Sequence, residues 1–130
     1  MAGYDLKTRA RTHYHLKRNE WSVHFNVSPD GKLFAGDGGD SEMVAHAPDG
    51  KWIYGFRPRT IPDVAGIRAP NAADLIQPGF FEAEKLVDMS KHDYRLEPNV
   101  TFTPDQKWIV FRSNLLGPTH VFAVEIQKTV

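Results

Sequence analysis

Cysteine is absent from this chain of 130 residues, which excludes a disulfide framework, a cysteine-ligated zinc site and a cysteine nucleophile. Net charge is absent too, since 16 lysines and arginines balance 16 aspartates and glutamates. That balance argues against nucleic-acid and membrane-surface binding. The sequence has no apolar run near the roughly 20 residues that span a bilayer, and no signal peptide is visible in residues 1–5. These absences predict a cytoplasmic protein with neither a nucleic-acid nor a membrane partner.

What the chain does contain is one turn sequence used three times. Each copy places proline, aspartate, glycine or glutamine, and lysine between short runs rich in aromatic and β-branched residues, a pattern typical of β-hairpins. The three copies lie at Ser28–Lys32, Ala47–Lys51 and Thr103–Lys107. The length is that of one domain, and repeated hairpins predict an all-β fold of about two β-propeller blades over residues 1–130. A β-sandwich with three hairpins is the alternative.

The predicted blades follow from these turns. Residues 21–89 form the first blade, with an insertion at 59–83, and residues 97–127 form the second. The predicted strands are Trp21–Val27, Lys32–Gly36, Trp52–Pro58, Glu84–Met89, Val100–Thr103, Trp108–Ser113 and Val121–Ile126. Residues 1–20 are predicted to be an outer strand or a tail, with Tyr4–Leu16 as the missing fourth strand of the second blade. The insertion is predicted to hold one short helix at Asn71–Ile76.

Several polar residues are candidates for a binding site. The loop Gly36–Asp40 either faces a ligand with its backbone amides, or is an acidic metal-binding loop, or is a turn that needs a positive φ angle and in which aspartate supplies local caps. His13 and His15 lie on one face of a possible strand, where they either bind a metal or are solvated. His24 lies in an apolar strand, and it is either near a ligand at the propeller axis or a buried core residue.

A second group of candidates lies in the segment His92–Asn99, which leads into a predicted innermost strand. Glu97 and Asn99 are two residues apart, so both side chains can point into a central channel, where oxygen donors suit a divalent ion. Arg95 and the pair Arg57 and Arg59 suit a carboxylate ligand. The alternative for each is an ordinary solvated surface. Spacing alone identifies no catalytic site.

The stretches Trp21–Asp40, Glu97–Asp105 and Val121–Glu125 resemble the C-terminal part of the oligogalacturonate lyases, and the resemblance runs over most of residues 20–127. It implies a seven-bladed propeller that cleaves short galacturonides by β-elimination in pectin breakdown. It also implies a manganese ion held by three histidines and a glutamine, and a separate histidine base. An ion on the substrate carboxylate acidifies the adjacent proton, which the base removes.

The resemblance places metal ligands on Tyr94, Glu97 and Asn99, where this chain has substituted the glutamine and two of the histidines. The remaining ligand and the base belong to blades outside this chain, so the catalytic residues stay unidentified. His24 matches a central histidine position, and together with Arg57 and Arg95 it is the predicted substrate-binding set. The chain is therefore predicted to be either part of a metal-dependent lyase or a short relative without the chemistry. A non-catalytic propeller module that binds an acidic sugar or a protein is the alternative.

Two isolated blades would expose apolar surface, which predicts self-association. Their apolar faces, predicted at Phe25, Val27, Phe102, Ile109 and Phe111, would be exposed without neighbouring blades. We therefore expect a homo-oligomer, in the form of a ring that rebuilds a propeller.

Overall fold

The computed structural model describes residues 1–43, 46–61 and 76–126. These residues form β-strands and one short 3-10 helix at Arg18–Glu20, and they include no α-helix. The all-β class predicted from the repeated hairpins is confirmed. The strands are β1 (Ala2–Tyr4), β2 (Arg11–His15), β3 (Phe25–Val27), β4 (Phe34–Gly36), β5 (Trp52–Thr60), β6 (Ile76–Asp88), β7 (Thr101–Phe102), β8 (Trp108–Ser113) and β9 (His120–Glu125).

The chain divides into two compact units, the first made of residues 1–16 and 58–82. In this unit β1 pairs antiparallel with β2, and β2 runs parallel to the first part of β6. The carboxylate of Asp5 accepts the N–H groups of Lys7 and Thr8 and so shapes the turn after β1. Tyr14 stacks on Phe81 with ring centroids 5.0 Å apart, which gives the small unit an aromatic contact between β2 and β6.

The second unit, residues 17–57 and 83–130, contains two antiparallel arrangements of strands. One is the β6-β5-β4-β3 part of a six-stranded sheet whose full order is β1-β2-β6-β5-β4-β3. In this part, strands consecutive in the chain are neighbours. The pairs β3–β4 and β4–β5 are antiparallel, and the N–H of Met89 donates to the carbonyl of Lys51 beyond the ends of β6 and β5. The other is the three-stranded sheet β7-β8-β9, also antiparallel throughout.

Two copies of the repeated turn have the local chemistry that the sequence predicts. The Asp30 carboxylate binds the Ser28 hydroxyl and the Lys32 N–H, and Asp105 makes the equivalent bonds to Thr103 and Lys107. A positive φ follows each aspartate, 72° at Gly31 and 61° at Gln106, the conformation that glycine adopts most easily. The aspartate and the residue after it therefore set these two turns.

The middle copy of the turn differs. The carboxylate of Asp49 accepts hydrogen bonds from Trp52 Nε1 and Lys85 Nζ instead of capping its own turn, and Gly50 has no positive φ. A Cβ on Gly50 would lie 2.8 Å from the carbonyl oxygen of Gly39. Close packing, and not turn conformation, therefore requires glycine in this copy.

The core of the second unit corrects the prediction that apolar blade faces are exposed. Phe102, Ile109 and Phe111 are buried in a cluster with Ile53 and Met89, so they do not form an exposed blade face. The other members of the cluster are Ala35, Tyr94 and Val100. Of the predicted exposed set, Phe25 is half-buried and Val27 is exposed. The reason is that the β4–β5 strands and the three-stranded sheet bury these side chains against each other within the unit.

The strand bounds also differ in places. β6 begins at Ile76, well before the predicted Glu84, and takes up part of the predicted insertion. The segment Tyr4–Leu16 contains β2, which pairs with β6 and not with the three-stranded sheet, so it does not supply a fourth strand there. The helix predicted at Asn71–Ile76 lies outside the described residues, except that Ile76 is in β6. Within the described ranges, the chain has no helix with the length and apolar character needed to cross a bilayer.

Truncation of Ile109 tests the importance of this core. Ile109 is fully buried, and Ile109→Ala is expected to lower the free energy of unfolding by about 3 kcal/mol, through lost burial and the cavity left behind. The matched control is Leu116→Ala, since Leu116 is 67% exposed and its loss is expected to change stability by less than about 0.5 kcal/mol. Urea denaturation measures both values, and equal effects would contradict the assignment of the core.

Candidate functional site

The carboxylate of Asp37, directly after β4, connects two segments that are far apart in the chain. Asp37 is completely buried. Its Oδ1 accepts the backbone N–H of His24 at 2.7 Å, and its Oδ2 lies 2.9 Å from His24 Nδ1. The same Oδ2 accepts the backbone N–H of Asn99 at 3.2 Å. A buried charge is tolerated when it is hydrogen-bonded in this way, so one side chain joins the segment before β3 to the segment before β7.

Local structure around Asp37 explains the glycine-rich motif Gly36–Asp40. Gly38 has a φ of 68°, and a Cβ there would lie 2.3 Å from the carbonyl oxygen of Gly50. Its N–H donates to the Ser22 hydroxyl. Asp40 caps the next turn by accepting the N–H groups of Glu42 and Met43. The prediction of a turn that needs positive φ is confirmed at Gly38, and the predicted aspartate cap is confirmed for Asp40. Asp37 instead binds His24 and Asn99.

His24 is held along one edge of its ring and open along the other. Nδ1 faces the buried Asp37 carboxylate, while Nε2 lies 3.7 Å from Glu97 Oε2. The side chains of His24 and Glu97 are 38% and 47% exposed, so the Nε2 edge is accessible from solvent. An imidazole whose Nδ1–H donates to a carboxylate presents the lone pair of Nε2.

The loop that carries Glu97 and Asn99 is anchored on both sides. The buried Tyr94 hydroxyl donates to the backbone carbonyl of Asp37 at 2.8 Å, and burial raises the pKa of Tyr94 well above its usual range. His92 is buried as well, with Nε2 2.6 Å from the Leu96 carbonyl oxygen and Nδ1 2.7 Å from the Ser113 hydroxyl. Neutral His92 satisfies both contacts by donating from Nε2 and accepting at Nδ1.

The structure brings together four of the six predicted site residues. His24, Tyr94 and Asn99 all contact Asp37, and Glu97 lies beside His24. The predicted arginines are elsewhere. Arg95 is exposed and pairs with Asp93, whose pKa this contact lowers to about 2, and Arg57 is an exposed residue of β5.

The other histidines singled out in the sequence lie in the first unit. His13 and His15 are both exposed on β2, two residues apart on the strand. Neither belongs to a group of side chains capable of holding a metal, because the described ranges contain no such group of three histidine, cysteine, aspartate or glutamate residues.

The predicted metal ligands Tyr94, Glu97 and Asn99 do not form such a group within the described ranges either. The Tyr94 hydroxyl is engaged with Asp37, and the Asn99 side-chain amide points its Nδ2 at the Glu97 carbonyl oxygen, 3.4 Å away. This leaves Glu97 as the one acidic side chain at the open edge of His24. Such a donor set does not fit a manganese ion, which prefers several oxygen or imidazole ligands. Manganese binding stays a prediction from the resemblance.

Two residues of the site were missed in the sequence. The motif that contains Asp37 was noted, but its contacts with His24 and Asn99 were not predicted. Arg112, on β8, donates from Nε to the Glu97 carbonyl oxygen at 2.8 Å, which places a guanidinium beside the backbone of the loop that carries Glu97. No local pattern around Arg112 could have indicated this contact, because it joins residues on different segments.

A separate cavity of about 500 Å³ opens elsewhere in the second unit. It shares no lining residue with the His24 site. Its walls are Lys17, Asn19, Glu20, Tyr54, Ala83, Glu84 and Lys85. The Tyr54 hydroxyl donates to the Asn19 carbonyl, and burial together with Asp49 and Glu20 raises the pKa of Tyr54 to about 12. Lysines and glutamates balance in this cavity, so its charge favours no one class of ligand.

Comparisons with protein families, with curated proteins and with solved structures found no match to this chain.

Removal of the Asp37 carboxylate is expected to destabilise the second unit. Asp37→Ala leaves the part-buried N–H groups of His24 and Asn99 without their acceptor, at a cost of about 3 kcal/mol. The control is Asp88→Ala, because Asp88 is exposed and caps only the N–H of Ser90. Chemical denaturation of both variants makes the comparison, and an Asp37→Ala protein as stable as Asp88→Ala would contradict the anchoring role.

Acid is expected to weaken the fold through His92. Burial lowers the pKa of His92 from its ordinary value of 6.5, so below that pH the unfolded chain binds more protons than the folded chain. The contribution of His92 to stability is therefore full above about pH 6.5 and is lost as the pH falls toward the folded-state pKa. The unfolding free energy of His92→Gln should fall less steeply over this range than that of the unchanged protein, and parallel curves would contradict the prediction.

Proposed function

We propose that this chain forms two blades of a β-propeller of the oligogalacturonate-lyase kind. The order β6-β5-β4-β3, with neighbours consecutive in the chain, makes up four strands of the six-stranded sheet and supports a four-stranded blade that β2 and β1 extend. The sheet β7-β8-β9 supplies three strands of a second. The two turns that share one capping chemistry, at Ser28–Lys32 and Thr103–Lys107, come between the first two strands of each blade. Asp30 and Gln106, one from each turn, are also hydrogen-bonded to each other.

The function we propose is proton abstraction from an acidic oligosaccharide, leading to β-elimination. The observation that carries the proposal is the pairing of His24 with a buried carboxylate, while its Nε2 edge stays open to solvent. A buried aspartate on Nδ1 holds the imidazole in one tautomer and stabilises the imidazolium that forms when Nε2 takes a proton. Asp37 is thus the positioning residue and His24 the general base.

The reaction follows from the chemistry of a uronate. His24 Nε2 removes the proton from the carbon next to the carboxylate, and the electron pair of that C–H bond forms a double bond to the neighbouring ring carbon. The bond from that ring carbon to the glycosidic oxygen breaks, and the departing oxygen takes up a proton from water. The hydroxide left behind accepts the proton from His24 Nε2, which returns the imidazole to its neutral form. One glycosidic bond becomes one unsaturated sugar end and one free hydroxyl, so no oxidant or co-reactant is needed.

Two charged neighbours complete the proposed site. Arg112, fixed on the Glu97 carbonyl, carries the planar guanidinium that binds a carboxylate through paired hydrogen bonds. Binding of the substrate carboxylate there would stabilise the negative charge that develops during proton removal. The carboxylate of Glu97 lies 3.7 Å from Nε2, beside the nitrogen that takes up the proton. No step of this reaction passes through a metal ion.

Replacement of His24 tests the proposal. Incubation with unsaturated digalacturonate, followed by chromatography of the products, should show turnover by the unchanged chain. His24→Gln should reduce the rate by at least about 100-fold, the usual contribution of a general base. His13→Gln is the matched control, because His13 is an exposed histidine of β2, and it should leave the rate unchanged.

Arg112→Lys provides a second measurement on the same site. It keeps the positive charge but loses the planar pair of donors, so it should raise KM through weaker substrate binding and lower kcat through weaker stabilisation of the developing charge. Turnover that survives His24→Gln would contradict the assignment of the base. Binding of digalacturonate by the unchanged chain without turnover would contradict the lyase reaction and favour the alternative, a non-catalytic module for acidic sugars.

A further inference from the structure

The outer edge of β9 is an exposed strand edge in the three-stranded sheet. The order β7-β8-β9 places β9 last, and within the described residues no strand pairs with its outer side. β9 has six residues, more than the end strands β1 and β3 of the other sheet. Val121 is 76% exposed, and Ala123 is exposed too. A long exposed edge with apolar side chains is a ready template for another strand.

The hydrogen-bond phase of β9 shows which of its backbone groups face outward. The N–H of Ile126 donates to the carbonyl of Lys107 at 2.9 Å, just beyond the last pair of the β8–β9 ladder. Residues that exchange hydrogen bonds alternate with residues that do not along an antiparallel pair. Phe122 and Val124 therefore bond to β8. The N–H and C=O groups that point away from β8 belong to Val121, Ala123 and Glu125.

We propose that β9 pairs antiparallel with β9 of a second copy of this chain, about a two-fold axis at Ala123. This register sets Ala123 opposite itself and Val121 opposite Glu125 of the second copy. All three outward-facing residues then exchange hydrogen bonds across the axis, about six bonds in total. A shift of two residues in either direction would leave one outward-facing residue of each strand without a partner.

The side chains fit the same register. Residues opposite each other in a sheet have their side chains on the same face. In this register Phe122 of one copy lies opposite Val124 of the other, on the face of β9 that packs against the core. Phe122 already stacks on Phe111 in its own chain, with ring centroids 5.7 Å apart. The pairing therefore brings Phe122 and Val124 of the two copies into one continuous apolar surface. Cross-strand pairs of an aromatic and a β-branched residue are stabilising.

Charge and edge chemistry favour a second copy as the occupant and fix its direction. Residues 120–125 contain neither proline nor lysine, the residues that usually block strand addition at an edge. Glu125 is the one acidic residue of β9, and antiparallel pairing sets it opposite Val121, whereas parallel pairing would set it beside another Glu125. The net charge of the chain is zero, so long-range repulsion does not oppose association. The contact uses the same strand on both copies and closes as a dimer.

The absence of cysteine makes the axis directly testable. In a hydrogen-bonded antiparallel pair the two Cα atoms are about 5.5 Å apart, a separation that a disulfide bridges. Ala123→Cys is therefore expected to form a disulfide-linked dimer under mild oxidation, seen as a doubled mass on a non-reducing gel. Leu116→Cys, on the exposed turn between β8 and β9, is the control and should stay largely monomeric on the gel.

Sedimentation at micromolar concentration measures the association itself. The unchanged chain should have the mass of a dimer. Ala123→Lys places charge at the axis and should raise the dimer dissociation constant at least tenfold, about 1.4 kcal/mol or more. Leu116→Lys removes exposed apolar surface and adds the same charge, and it should remain a dimer.

Three outcomes would overturn the proposal. The first is an unchanged chain that stays monomeric at micromolar concentration. The second is a ring of more than two copies, which points to association through other surfaces. The third is an Ala123→Lys protein that is still dimeric. If Ala123→Lys does not fold, Val121→Lys takes its place, and the disulfide measurement on Ala123→Cys decides independently.

Discussion

A buried carboxylate with donors from two distant segments is the constraint on which the rest of the site depends. Asp37 is removed from water, and an unpaired charge there would be prohibitively costly. It persists because the backbone of His24, the backbone of Asn99 and the ring of His24 all face it. These contacts position the start of β3 and the approach to β7 together, so the geometry of the site and the stability of the unit have one cause.

The chemistry proposed for His24 follows from the asymmetry of its surroundings. One ring nitrogen faces the buried Asp37 carboxylate, and the other lies 3.7 Å from Oε2 of Glu97, on a side chain that is 47% exposed. A histidine with two solvated edges would have neither a defined tautomer nor a fixed direction for proton transfer. The loop with Glu97 is rigid for a related reason, since Tyr94 and His92 tie it to buried hydrogen-bond partners. Support from buried side chains is what makes a loop residue precise enough for catalysis.

Sheet edges are the other organising feature of the second unit. The core is completed within the unit, because Phe102, Ile109 and Phe111 are buried there, and large exposed blade faces do not arise. The exposed apolar groups that remain include Val121 on β9, where backbone groups also point outward. Association through a strand edge buries less surface than association through whole faces, but its hydrogen bonds define one register.

The sequence by itself determined the elements whose causes are local. The Pro-Asp turns at Ser28–Lys32 and Thr103–Lys107, the strands on either side of them and the all-β class all follow from preferences that act within about five residues. Tertiary structure alone decided the pairing of β2 with β6, the burial of Asp37 and the approach of Arg112 to Glu97. Each of these joins residues far apart in the chain, and their meeting depends on how sheets pack and close, which no local preference encodes.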